Sequence, residues 1–304
     1  MSSQRYFCTI LIYGMRQLQY NNTHLALSLL RGRWLLADAE TLLPQALAFL
    51  SRMPIESEQA EYFPVLYMQD ERPAYMSDAT KSNSNKKKVA VIPIHGALTK
   101  YWGCSTVGTQ DVADEIMELC ARQDIVGFVL DIDSPGGASN AIPPMVAAIK
   151  HVQKKGKPIV AHCDFAASAA YWIASQCDAL FMDNIMSEVG SIGAYASFLD
   201  NRENKQTGEK IISIYAPESK DKNRSFREAL EGKYELCQEE LSHLVKMFHS
   251  AVKTNRPTIK ADEEGVFTGA TFFTPKAVDL DMADGMASLG DCVENVFIRA
   301  EFNK

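Results

Sequence analysis

The sequence lacks the long apolar runs that mark a membrane protein or a secretory signal. No stretch approaches the ~18 apolar residues that a membrane-spanning helix needs, so no membrane anchor is predicted. The apolar segment at residues 7–13 is short, is interrupted by Cys8 and Thr9, and has only Arg5 as a basic residue before it. It is therefore predicted to be a strand and not a signal peptide.

Paired cysteines are also lacking. The chain contains seven cysteines, an odd number, and no two of them form a C-x-x-C pair. This usage argues against a disulfide framework and against a zinc site. Because disulfides persist mainly in oxidising compartments, the sequence predicts a reducing one, the cytoplasm.

An excess of basic charge is the third absence. Lysine and arginine number 31 against 38 aspartate and glutamate residues, a formal net charge of −7. No basic field exists to hold nucleic acid, which is therefore not predicted as a partner. With 304 residues, 46% of them hydrophobic and 23% charged, the chain has a globular composition. That length permits about two domains, or one domain with an arm.

The patterning divides the chain into three parts. Residues 1–76 are predicted to form an N-terminal helical arm, with helices at residues 23–30 and 39–50 whose apolar faces need a partner surface. Residues 77–88, SDATKSNSNKKK, are polar and without periodicity, and they are predicted to be a solvated linker. Residues 89–304 form the main domain.

The main domain alternates strand patterns with helix patterns. Apolar runs predict strands at residues 89–95, 125–132, 159–163 and 211–215. Apolar periodicity predicts a helix that begins at Thr109 and a long helix at residues 228–253. Because helices separate the strands, the predicted class is α/β with a mostly parallel sheet.

Two segments at strand ends carry chemistry. DSPGG at residues 133–137 follows a buried strand, and the backbone N–H groups of Gly136 and Gly137 can point into a cleft that suits an oxyanion. The alternative is an ordinary turn. Ser168 lies among alanines where a strand passes into a helix, and there the helix dipole favours developing negative charge. The alternative is a helix cap.

Two further segments complete the set. Residues 187–197, SEVGSIGAYAS, carry Gly190 and Gly193 around a tight passage, either beside a substrate or in a packed turn. The loop at residues 215–226 carries Lys220 and Lys222. A loop lysine is usually a surface charge, and it becomes a base only where burial favours the neutral amine.

In this order, DSPGG, AASAAYW, VGSIG and a lysine–aspartate loop resemble the signal peptide peptidase A family of serine peptidases, also called the protease IV family. The resemblance covers residues 89–286, including the tail VFTGATFFTPKAVDLDMADGM at residues 266–286. It implies the Clp-protease/crotonase fold, a superhelix of ββα units. It also implies a polypeptide substrate, no metal or cofactor, and a homo-oligomer arranged as a ring.

The resemblance also assigns roles to residues. Ser168 corresponds to the nucleophile and Lys220 to the general base, with Lys222 as the alternative. Backbone N–H groups of the oxyanion loop and of the first helical residue correspond to the oxyanion donors, namely Gly137, Ala169 and Gly136. The substrate-binding segment corresponds to Gly190, Ser191, Ile192 and Gly193.

Residues of the N-terminal arm resemble one particular branch of this family. Residues 29–50, LLRGRWLLADAETLLPQALAFL, resemble the arm of the phage and prophage capsid assembly proteases. That branch implies capsid or scaffold proteins as partners and a phage prohead as a second location besides the cytoplasm.

Four alternatives are weighed against this interpretation. A cellular peptide-degrading enzyme like protease IV would use the same dyad. A Ser–His–Asp triad is disfavoured because residues 169–242 contain no histidine. A crotonase-type acyl-CoA enzyme would need neither Ser168 nor a loop lysine. A non-catalytic assembly protein could keep the same fold.

Overall fold

The computed structural model describes residues 34–36, 65–68, 86–101, 106–197, 200, 202, 208, 210 and 212–302. Its strands are β1 (Trp34–Leu36), β2 (Val65–Met68), β3 (Lys88–His95), β4 (Ala97–Thr99), β5 (Thr106–Gly108), β6 (Ile125–Ser134), β7 (Gly136–Ala138), β8 (Ile159–Ala167), β9 (Ala179–Met182), β10 (Glu188–Gly190), β11 (Thr271–Phe273) and β12 (Gly285–Met286). Its helices are α1 (Thr109–Ala121), α2 (Ile142–Lys154), α3 (Ala169–Ala174), α4 (Arg224–Leu230), α5 (Glu235–Asn255), α6 (Thr274–Asp279) and α7 (Leu289–Phe302).

The main sheet has the order β2-β3-β6-β8-β10-β11. Strands β3, β6, β8 and β10 pair in parallel, while β2 and β11 pair antiparallel at the two edges. Strand β9 runs parallel to the first half of β8, and β10 to its last residues. The predicted α/β class with a mostly parallel sheet is confirmed.

A second, smaller sheet has the order β1-β7-β4-β5. Strand β3 is followed by β4, β5 and then α1, and β6 is followed by β7 and then α2. Each unit thus has a long strand in the main sheet, one or two short strands in the second sheet, and a helix. This is the ββα repeat that the resemblance implied.

The core follows from side chains that alternate between the two faces of the main sheet. On β6, Phe128 and Leu130 belong to the large cluster formed with α1, α2 and α3, whereas Val129 belongs to a smaller cluster formed with α7. All three are fully buried. A buried aliphatic or aromatic side chain contributes about 1.5–3 kcal/mol, so this two-sided burial holds the central strands rigidly under the site.

Several predicted elements are confirmed. The strands predicted at residues 89–95, 125–132 and 159–163 are β3, β6 and β8. The helix predicted at Thr109 is α1, and it buries Val112, Ile116 and Cys120 on one face. Strands β6 and β8 run on beyond the predicted ends, into Ser134 and Ala167.

Two predictions are wrong. The single helix at residues 228–253 is instead α4 and α5, because Gly232 adopts a φ of +79° that breaks the helix between them. The strand at residues 211–215 is absent over residues 212–215, where Ile212 and Ile214 are 82% and 91% exposed. The apolar pattern there needs a neighbouring strand, and the described part of the chain offers none.

The arm is described only in part. The helices predicted at residues 23–30 and 39–50 and the strand at residues 7–13 lie outside the described residues. The described segments of residues 1–76 are β1 and β2, which are strands and not helix, and they pair with β7 and β3. The predicted division into arm, linker and main domain stays a prediction.

Candidate active site

The predicted site residues converge because two neighbouring strands end together. Strands β6 and β8 pair in parallel, with Ser134 opposite Ala166. The chain therefore leaves the same edge of the sheet two residues later on each strand, at Gly136 and at Ser168. Helix α3, which begins after Ser168, packs against β7. The DSPGG turn and the serine are thus brought side by side.

Ser168 lies in a strained backbone conformation. Its φ is +57° and its ψ is −118°, values that cost a non-glycine residue about 1–3 kcal/mol. Two hydrogen bonds hold it: its N–H donates to the Gly190 carbonyl at 2.8 Å, and its own carbonyl accepts from the Trp172 N–H at 2.9 Å. Its hydroxyl makes no capping hydrogen bond to α3. The helix-cap alternative is therefore not supported.

The DSPGG turn is held by a serine that sequence reasoning missed. The Ser134 hydroxyl donates to the Gly96 carbonyl at 2.7 Å and accepts from the Gly136 N–H at 3.1 Å. Gly136, at a φ of +95°, therefore uses its N–H inside the turn, so the structure does not support it as an oxyanion donor. The signal in the sequence was a polar residue at the end of an apolar strand.

Gly137 must be glycine because the backbone of β4 lies against it. A Cβ atom at this position would lie 2.0 Å from the Leu98 carbonyl oxygen. Across the cleft, Ala169 is fully buried and is the first residue of α3, where an N–H has no partner within its own helix. Gly137 and Ala169 lie where the turn and α3 meet, and their role as oxyanion donors stays a prediction.

The segment predicted to bind substrate lies directly beside Ser168. Gly190 pairs with Ala167 at the end of β8, and Gly190 and Ser191 have φ values of +129° and +54°. The Ser191 N–H donates to the Ala270 carbonyl at 2.7 Å. Ile192 is fully buried, and Ser191 and Gly193 are partly exposed. Ala270, in the tail segment, thus holds the backbone of this segment through a hydrogen bond.

Tyr171 anchors the helix that carries the serine. Its ring is fully buried, and its hydroxyl donates to the Met282 carbonyl at 3.0 Å. On the same helix, Trp172 stacks on Phe248 of α5 with ring centroids 4.6 Å apart. The short helix α3 is therefore held from both the tail and α5, which positions Ser168.

The two lysines are not brought into this cluster. Lys220 and Lys222 are both exposed, at the end of the 3-10 turn Pro217–Ser219 and just beyond it. The Lys220 carbonyl accepts from the Arg227 guanidinium. Among the described residues, neither ammonium group contacts Ser168. The structure thus brings Ser168 and the DSPGG turn together, whereas Lys220 and Lys222 lie outside this cluster; the roles of all these residues stay predictions.

A chain of histidines and carboxylates lies on the face of the sheet that α7 covers. His162 Nδ1 lies 2.8 Å from Asp131 Oδ1, and its Nε2 lies 3.0 Å from Asp183 Oδ1. His95 Nε2 lies 3.3 Å from Asp131 Oδ2. Because both nitrogens of His162 face carboxylates, that ring is not oriented by Ser168, and no Ser–His–Asp triad forms with it.

The described residues contain neither a metal cluster nor a spanning helix. No group of three or more histidine, cysteine, aspartate or glutamate side chains is arranged there to hold a metal ion. No helix in the described ranges combines the length and apolarity needed to cross a bilayer. The described cysteines, Cys120, Cys163, Cys177, Cys237 and Cys292, are free thiols.

Comparisons with known proteins give one family. The model of peptidase family S49 matches residues 151–302, half of the chain. The head-tail preconnector protein GP5 of Enterobacteria phage P21 is 26% identical over 217 residues, which are 67% of this chain and 42% of the relative. Protease 4 of Haemophilus influenzae is 22% identical over 209 residues, 68% of this chain and 34% of the relative. The chain thus spans less than half the length of these curated relatives.

Solved structures also show similarity. Two structures of the 1510-N membrane-bound stomatin-specific protease, one with a substrate peptide, are each 16% identical to the chain. The complex has a TM-score of 0.41 and covers 68% of this chain and 78% of its own. The other has a TM-score of 0.36, with coverages of 68% and 83%.

Proposed function

Because the chain belongs to peptidase family S49, we propose that it is a serine endopeptidase whose nucleophile is Ser168. The observation that carries this proposal is the buried serine at positive φ, at the start of a helix that packs against the strand β7 of the DSPGG turn. A serine held in this way, without a capping role, is a strained arrangement that ordinary helix formation does not require.

The reaction follows from these groups and a lysine base. The Ser168 hydroxyl oxygen bonds to the scissile carbonyl carbon while its proton passes to a neutral lysine amine. The Gly137 and Ala169 N–H groups donate to the oxyanion, at about 3 kcal/mol each. The C–N bond then breaks, the lysine returns the proton to the leaving amine, and water hydrolyses the acyl-enzyme.

We assign the base to Lys220, with Lys222 as the alternative, and place it in an oligomeric assembly. An amine acts as a base only when it is uncharged, and removal from water favours that form. Both lysines are exposed in the single chain, next to the exposed Ile212 and Ile214. A neighbouring copy that covers this segment would shield the amine, so the proposed active unit is a homo-oligomer, expected to be a ring, with the site near an interface.

The substrate class is a polypeptide, and the finer proposal is processing of phage head or scaffold proteins. It is supported by the similarity to the phage P21 preconnector and by the resemblance of residues 29–50 to the phage arm. The location that goes with it is the bacterial cytoplasm or a prohead. Peptide degradation by a cellular enzyme like Protease 4 is the alternative within the same chemistry.

The test is hydrolysis of casein by the full chain, together with labelling by a serine-reactive fluorophosphonate. We expect Ser168→Ala to lower the rate at least about 10³-fold and to abolish labelling, because the nucleophile is lost. Ser175→Ala is the matched control, since Ser175 is equally buried but bonds to the Trp172 carbonyl.

Three results would contradict the assignment. Cleavage that survives in Ser168→Ala would exclude this nucleophile, and so would a label found on another residue. Binding of an acyl-CoA ester without any peptide cleavage would instead indicate crotonase-type chemistry.

A further inference from the structure

Strand β7 of the oxyanion turn has a neighbour on each edge. On one edge Gly137 pairs in parallel with Leu98 of β4. On the other edge β1 runs antiparallel, with Trp34 opposite Ala138, Leu35 opposite Gly137 and Leu36 opposite Gly136. Roughly a hundred residues separate β1 from β7, so this pairing is a tertiary contact of the arm and not a local hairpin.

The edge that β1 covers is the one that suits an extended peptide. Peptides are commonly recognised by strand addition, in which main-chain hydrogen bonds to a sheet edge supply the affinity. Because β4 already fills one edge of β7, the other is the edge left for an added strand. Since β7 also packs against α3, a strand added to β7 joins the sheet that contacts the helix following Ser168.

We propose that residues 34–36 occupy the substrate-docking edge of the enzyme, and that the arm is an intramolecular blocking strand. A polypeptide substrate binds antiparallel to residues 136–138 by displacing β1. This inference rests on the proposed function, because it takes the site beside Ser168 as the place of cleavage. A substrate must therefore displace β1 before it can bind, and this lowers its affinity.

The pairing is suited to displacement. A three-residue strand makes few main-chain hydrogen bonds, and so a short edge strand is marginal by itself. The weak pairing of β1 is compensated because β1 belongs to the same chain as β7. An intramolecular partner of this kind acts at an effective concentration in the millimolar range. A separate peptide must compete with that concentration unless the pairing of β1 is weakened.

The experiment measures binding and needs no turnover. The probe is a fluorescein-labelled peptide that copies residues 30–40, LRGRWLLADAE, added to the full-length chain carrying Ser168→Ala. In that background Leu35→Pro with Leu36→Pro removes two N–H donors from β1, whichever of them faces β7. We expect fluorescence anisotropy to show the probe binding at least about 10-fold more tightly than to the same chain with Leu35→Ala and Leu36→Ala.

Two controls keep the result specific. A peptide with proline at both leucine positions should not bind, because strand addition needs its N–H groups. Hydrogen exchange on the chain with Ser168→Ala alone requires no arm variant: excess unlabelled peptide should speed exchange at the amides of residues 34–36. Equal affinity of the proline and alanine forms, no binding to either, or unchanged exchange would overturn the proposal.

The outcome is separable from that of the catalytic proposal. If the proline form binds more tightly but Ser168 is neither labelled nor needed for cleavage, the docking edge stands and the peptidase assignment fails. If Ser168 is labelled and the affinities are equal, the peptidase assignment stands and the blocking strand fails.

Discussion

At the scale of single residues, the site depends on backbone positions that tolerate no change. Ser168 and Ser191 both adopt positive φ, and each is held by a hydrogen bond from its own N–H to a neighbouring carbonyl. Gly190 lies between them, where a Cβ atom would approach the Ala270 carbonyl oxygen to 2.5 Å. These positions fix the main chain around Ser168.

The two loop lysines can be separated by substitution. We expect Lys220→Ala to lower kcat/KM for casein hydrolysis by about 10²–10⁴-fold, the range of general acid–base catalysis, and Lys222→Ala to change it less than about 2-fold. Lys222→Ala is the matched control, since both side chains are exposed in the same loop. A larger loss in Lys222→Ala would transfer the role of base to Lys222.

At the scale of elements, the segment before the lysine loop lacks a partner that its pattern requires. Residues 212–216 form neither helix nor strand, and the side chains of Ile212 and Ile214 are almost fully exposed. Exposed apolar side chains next to a functional loop mark an association surface. The element is therefore expected to be completed by another copy of the chain.

Charged substitution of this segment should dissociate the proposed oligomer. Ile212→Glu with Ile214→Glu removes about 1.5–3 kcal/mol of apolar burial per residue, so association should weaken at least about 10²-fold, with activity lost in parallel. Sedimentation velocity measures the size of the assembly. Ile185→Glu, at an isoleucine 62% exposed elsewhere, is the control. An unchanged sedimentation coefficient in the double variant would refute the interface.

At the scale of the whole molecule, ion pairs between a buried cationic side chain and a more exposed carboxylate link the tail and the strands to one another. The Arg256 guanidinium donates to both carboxylate oxygens of Asp284, at 2.8 and 3.1 Å, and that carboxylate also accepts from the Leu180 N–H of β9. Asp131 and His162 link β6 to β8 in the same way. These polar links join elements distant in sequence, so they stabilise the tertiary arrangement.

The His162 link gives the molecule a predictable pH dependence. Burial lowers the pKa of His162, but the hydrogen bonds and charges of Asp131 and Asp183 outweigh burial, so the pKa is raised above its usual 6.5. The pKa of Asp131 is held below its usual range by the two histidines, in spite of burial, so this carboxylate stays ionised at neutral pH. The charged His162 ring therefore contributes fully to the free energy of unfolding below about pH 6.5, and this contribution is lost as the pH rises through the raised pKa.

Urea unfolding between pH 6 and pH 9 measures this contribution. We expect the free energy of unfolding to fall as pH rises, and His162→Gln to flatten that slope and cost about 1–3 kcal/mol at pH 6. His95→Gln is the comparison, because His95 is exposed and its hydrogen bond to Asp131 is longer. An identical slope in His162→Gln and the unchanged chain would contradict the assignment.

The sequence alone determined the α/β class and the family, and it directed attention to Ser168, Gly137 and Gly190, whose roles stay predictions. The strands are readable because a sheet buried on both faces needs continuous apolar runs, and the glycines because a crowded backbone admits no other residue. The family relationship predicted from the motifs is confirmed by the match over residues 151–302. The apolar runs are a local pattern, whereas the crowding at Gly137 and Gly190 comes from Leu98 and Ala270, far away in the chain.

Only the tertiary structure decided the rest. The pairing of residues 34–36 with residues 136–138, the capture of the Gly136 N–H by Ser134 and the carboxylates around His162 each join groups distant in the chain or set by a turn's exact course. The break at Gly232 and the exposure of Ile212 likewise contradict the local pattern. The physical reason is that such contacts form only between surfaces that the completed sheet leaves uncovered. The sequence of one segment does not reveal which surfaces those are.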